Sequence, residues 1–73
     1  MKPSEIRKVA AKRPFHPFEI RLVDGDRHVI HHPETILVGE DLVVALDPEG
    51  QTILMAPEAV VSIRKVPSSP RKR

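Results

Sequence analysis

Four histidines in a chain of 73 residues, His16, His28, His31 and His32, are the first side chains whose chemistry asks for an account. Imidazoles hold a metal only where several converge on one point. His31 and His32 are sequence neighbours, which on a strand point to opposite faces. His28 and His32 share a face but stand about 13 Å apart at ~3.3 Å per residue, too far to chelate one ion. His16 sits between prolines in a separate segment, and no cysteine completes a ligand set. Neither a metal site nor a cofactor is expected. Candidate nucleophiles fare no better. Ser62 falls on an expected strand without a neighbouring general base, and Ser68 and Ser69 fall in a Pro/Ser-rich tail. The Glu40-Asp41 pair lies in a turn, where acids are favoured for backbone reasons. All three glycines are accounted for by turns, so no loop is built to cradle phosphate. The chain does not read as an enzyme.

The cations are a different matter. Between Met1 and Arg13 the net charge is +4, and Arg71, Lys72 and Arg73 add +3 at the other end. The body from Pro14 to Val66 carries four basic and nine acidic residues, net −5. A polyanion would therefore be met at the ends, with Arg7, Lys8, Lys12, Arg13, Arg71, Lys72 and Arg73 as the candidate RNA-binding residues. An equally simple reading is a solubilising helix face and a solvated tail, because no exposed aromatic is interleaved to stack on bases. Phe15 and Phe18 are the only aromatic residues, and both read as core.

These residues must be positioned by the elements around them. Ser4 is a suitable N-cap for a helix of about ten residues, with Glu5 in its first turn. Ile6, Val9 and Ala10 recur on one narrow stripe, and Pro14 stops the helix. A helix this short is marginal alone and must dock. The adjacent Phe18–Val23 segment is the nearest surface: Phe18, Ile20 and Leu22 alternate with Glu19 and Arg21, the period of a strand with one apolar face. Asp24-Gly25 turns this strand into a second, Asp26–His32, which Pro33 ends. Ile36–Val38 is a third strand or a bent continuation of the second. Leu42–Leu46 is wholly apolar and reads as a central strand covered on both faces. Asp47-Pro48-Glu49-Gly50 has the residues of a type I turn and joins it to Thr52–Met55. Ala56–Ala59 makes one short 3₁₀ turn before a last strand, Val60–Val66. Residues 67–73 form an expected disordered basic tail.

The expected fold is mainly β with an N-terminal α-helix. The helix is followed by a strongly bent five-stranded antiparallel sheet or small barrel, a single domain over residues 1–66. At this length only about 60% of the unfolded surface is buried, less than in larger domains, so a disulfide, a metal or self-association usually completes such a core. With no cysteine, self-association leads. No apolar run approaches the ~18 residues of a membrane helix and no signal-peptide core follows Met1, so the cytoplasm is the default location.

Helix, strand, Asp-Gly turn, bent strands, hairpin, short turn and final strand is an order that resembles the Sm-like (Hfq/LSm-type) small β-barrel family. Phe18-Glu19-Ile20-Arg21-Leu22-Val23-Asp24-Gly25 is similar to that family's first strand and turn. Ala59-Val60-Val61-Ser62-Ile63 is similar to the segment entering its last strand, and Val66-Pro67-Ser68 to the start of its tail. The resemblance implies a homo-oligomer, typically a ring formed by pairing edge strands. Here Leu42–Leu46 or Thr52–Met55 would pair with Val60–Val66. It also implies single-stranded RNA as a partner, met through the basic helix. Two features depart from the family. Pro57-Glu58 stands where a Lys-His pair would line the pore, and Ile36, Leu37 and Val38 include no aromatic for base stacking. The Pro-Phe-His-Pro-Phe, Asp-Gly and His-Pro combination also resembles short bacterial proteins of uncharacterised role. The expected function is a non-enzymatic, oligomeric RNA-binding protein, against an assembly module with no nucleic-acid role.

Overall fold

Helix α1 (Pro3–Ala11) opens the computed structural model, which describes residues 1–66. The tail expected over 67–73, with Arg71, Lys72 and Arg73, lies outside the described residues. The helix starts one residue before Ser4 could cap it: Lys2 is the N-cap and Pro3 takes the first turn. Proline suits that position because its φ is already helical and its missing amide would have been unpaired. The residue that precedes the helix cap is tied down as well. The Met1 amino group donates to the carbonyl oxygens of Pro57 (2.9 Å) and Val60 (3.2 Å). The helix ends at Ala11, with Lys12 already extended (ψ 138°), so Arg13 is off it. A proline at position 14 disfavours helical backbone just before it, which brings the end forward.

Six strands follow: β1 (Phe18–Leu22), β2 (Arg27–Ile30), β3 (Ile36–Val38), β4 (Val43–Leu46), β5 (Thr52–Met55) and β6 (Val60–Lys65). They form two three-stranded antiparallel sheets, ordered β2-β1-β6 and β3-β4-β5. This differs from the single five-stranded sheet or small barrel expected. The cause is local to Pro33–Thr35, a 3₁₀ turn that separates β2 from β3. Pro33 has no amide to extend the first ladder, and beyond the turn β3 pairs with β4 rather than β1. Since β2 stops at Ile30, His32 is not on the strand that was to carry it.

Both hairpins share one turn chemistry. In the first, the Gly25 amide bonds the Leu22 carbonyl (2.9 Å) and the Leu22 amide bonds the Asp26 carbonyl (2.8 Å), leaving Val23, Asp24 and Gly25 as a three-residue loop. In the second, Gly50 bonds Asp47 (2.8 Å) and Asp47 bonds Gln51 (3.0 Å) in the same pattern. Gly25 and Gly50 have φ of +95° and +86°, where a side chain is strained. Asp24 Oδ1 accepts from the Asp26 amide, and Asp47 Oδ1 from those of Glu49 and Gln51.

The core lies between the sheets and under the helix. It comprises Ile6, Phe18, Ile20, Ile30, Val43, Ala45, Met55 and Val60, all buried. Ile6 is the helix's buried anchor, with Val9 and Ala10 packed beside it. Phe15 packs on Phe18 at 5.8 Å between ring centroids, tilted by 59°, a favourable aromatic geometry. Strand β4 is central in its sheet, but it is covered on one face only: Val43 and Ala45 are buried while Leu46 is exposed.

Candidate nucleic-acid interface

An α-helix turns 100° per residue, so Arg7 and Lys8 fall on different flanks of α1, and Lys12, just past the helix end, lines the same recess as Lys8. The fold acts on that difference. Beside the Lys8 flank, the approach to β1 and the end of β6 leave this recess of about 440 Å³, lined by Glu5, Lys8, Val9, Lys12, His16, Phe18, Ile63 and Lys65. Lys65 arrives there because it stands opposite Phe18 in the β1–β6 register. Three lysines and a histidine thus line it together with the apolar Val9, Phe18 and Ile63, and Glu5 is the one acid among the lining residues. Long lysine stems can lie along such a floor while their charges stay in water.

The remaining predicted cations are placed elsewhere. Arg7 donates to the Val38 carbonyl (3.3 Å) and sits 3.6 Å from the Glu40 carboxylate, so its charge is turned to the β3 side. Arg13 folds back to donate to the carbonyls of Ala10 (3.2 Å) and Lys12 (2.9 Å), closing the helix's C-terminal end. A cation is favoured there by the helix dipole. Of the four candidates in this segment, Lys8 and Lys12 are brought together, and Arg7 and Arg13 are not part of the recess. Two contributors went unread in the sequence, Lys65 and His16. The pairing of β1 with the last strand was the available signal for Lys65. The position of His16 depends on how the chain crosses from the helix to β1, which no spacing specifies.

A second surface is defined by what it lacks. Leu37, Val44 and Leu54 stand directly opposite one another across β3, β4 and β5, and Leu46 pairs with Thr52 on the same face. Leu37 is 71% exposed and Leu54 64%, with Leu42 and Leu46 near two-fifths. This outer face carries no charge at any strand position. The surrounding segment 33–59 holds six carboxylates, Glu34, Glu40, Asp41, Asp47, Glu49 and Glu58, and no Lys, Arg or His. Every described Lys and Arg belongs to the other half of the fold, on or next to α1, β1, β2 and β6. The two halves therefore differ in net charge: segment 33–59 has acids and no cation, while the half with α1, β1, β2 and β6 holds nine cations and the four acids Glu5, Glu19, Asp24 and Asp26.

Among the described residues no three His, Asp or Glu side chains group to hold a metal ion, and no helix is long and apolar enough to cross a membrane. No protein-family model, curated protein or solved structure matches the chain.

Proposed function

We propose that this protein is a non-enzymatic, homo-oligomeric module of Sm-like type that binds single-stranded RNA through the recess beside α1. The observation that carries the RNA reading is the convergence of Lys8, Lys12, Lys65 and His16 on one apolar-floored recess. Lysines answer the phosphates, and the aliphatic floor accepts any base without reading its edge. The Sm-like assignment is supported by the order of elements and by β6 returning to pair with β1. Leu42–Leu46 is not a candidate for edge pairing, because β4 already has a neighbour on each side; β5 and β6 each keep an open edge.

Fluorescence anisotropy with a mixed-sequence single-stranded RNA tests the reading. Each phosphate neutralised contributes about −0.7 to the log–log salt slope, so three lysines predict a slope of about −2. Lys8→Glu with Lys12→Glu abolishes binding, whereas Arg7→Glu, on another flank, keeps most of it. Absence of binding at about 50 mM salt, or equal loss from Arg7→Glu, refutes the assignment. A second reading, assembly without nucleic acid, is favoured by the apolar outer face of β3-β4-β5. A mass above that of one chain, with no RNA bound, decides for it.

A further inference from the structure

We propose that the apolar outer face of the β3-β4-β5 sheet seats, head to tail, against the lysine-rimmed recess beside α1 of a second copy of this chain. The proposal rests on the assembly reading above and names the two surfaces that reading needs. Leu37 and Leu54 are the most exposed leucines of the face, and Val44 fills the row between them. An uncharged patch of this kind, on a chain with 30% charged residues, is the mark of a covered surface rather than a solvated one.

Charge decides which surface covers it. Two copies of this face do not complement each other in charge, because Glu34 flanks the face and the segment that bears it, residues 33–59, has acids and no cation, so like charges would be juxtaposed. The recess offers the reverse combination: Val9 and Ile63 on the floor, Lys8, Lys12 and Lys65 around it. The two surfaces therefore match in both apolar character and sign. They lie on different parts of the fold, so a copy can use both at once, and the contact is heterologous and closes into a ring or grows as a filament. A standard interface takes about 800 Å² from each partner, roughly one sixth of the 4948 Å² this chain exposes, so the area is within its means.

A heterologous contact has a signature that a two-fold one lacks. One variant loses the recess (Lys8→Glu, Lys12→Glu, Lys65→Glu) and a second loses the face (Leu37→Arg, Leu54→Arg). All five positions are exposed, so both variants are expected to keep the fold, checked by circular dichroism. Should the arginines unfold the second variant, Leu37→Gln with Leu54→Gln replaces it. By sedimentation velocity each variant alone is a monomer. Mixed in equal amounts they form a dimer and stop there, since the intact face of one meets the intact recess of the other and no further surface is left. A wild-type mass retained by either variant, or a mixture that stays monomeric while the wild type assembles, overturns this interface and leaves assembly standing. A wild type that is monomeric at millimolar concentration overturns assembly itself, and both results are read without RNA, so the RNA reading keeps its own separate test.

Discussion

Gly25 and Gly50 each hold a backbone conformation that L side chains resist, at φ of +95° and +86°. No atom lies within 4 Å of where a Cβ would stand at either site. Gly25→Ala and Gly50→Ala should therefore each cost about 1–2 kcal/mol, from backbone strain with no added clash. Urea unfolding measures this as a lowered midpoint with an unchanged slope; a loss below a few tenths would show that the turns relax freely. Both turns were readable in the sequence because their determinants are local. Asp-Pro-Glu-Gly was matched position for position. Asp24-Gly25 was recognised as a turn, but its loop has three residues and not two. The difference lies in Val23, whose strand-like pattern continues through Leu22 while its amide turns to the Ala59 carbonyl (2.8 Å). That partner is distant in sequence, so nothing at Val23 announces it.

At the scale of elements, helix α1 hangs on few contacts. Ile6 is its one fully buried residue, and Arg7–Glu40 is the ion pair that reaches the opposite sheet. The two are far from equal. Removing a buried isoleucine side chain costs about 2–5 kcal/mol. The arginine and glutamate are 47% and 87% exposed, and such solvated pairs contribute about 0–1 kcal/mol. Ile6→Ala should consume much of the stability of a domain this small, while Arg7→Ala shifts the melting midpoint little; comparable losses would mean that the helix is held electrostatically. Apolar periodicity located this helix and every strand to within a residue or two, because alternation and the 3.6-residue repeat reflect which face is buried. It misjudged β4. A run of Val43, Val44, Ala45 and Leu46 reads as buried on both faces, and one of those faces is open in the single chain. A sequence pattern records every surface that is covered, including any covered by another molecule, so the excess apolarity of β4 is the element-level trace of the contact proposed above.

For the whole molecule, the informative quantity is where the charge sits and not its total. Net charge along the chain suggested basic ends on an acidic body. Folding changes that picture by bringing Lys65 of β6 back beside Lys8 and Lys12, while the segment that builds the β3-β4-β5 sheet, residues 33–59, has six carboxylates and no cation. The result is a protein whose two halves carry net charges of opposite sign. If the lysine recess both binds RNA and receives the neighbouring copy, the two ligands exclude each other at that surface. A single-stranded RNA of about six nucleotides, close to the smaller site sizes for single-strand binders and too short to bridge copies, should then lower the protein's average mass as it saturates. Sedimentation with the RNA carrying a dye separates the outcomes: protein monomers each bearing one RNA are expected. Assemblies that keep their mass with RNA bound would place RNA and the second copy on different surfaces. Salt acts on both equilibria in the same direction, since each is driven partly by the same ammonium groups. The competition must therefore be read at one fixed ionic strength, where displacement and screening cannot be confused.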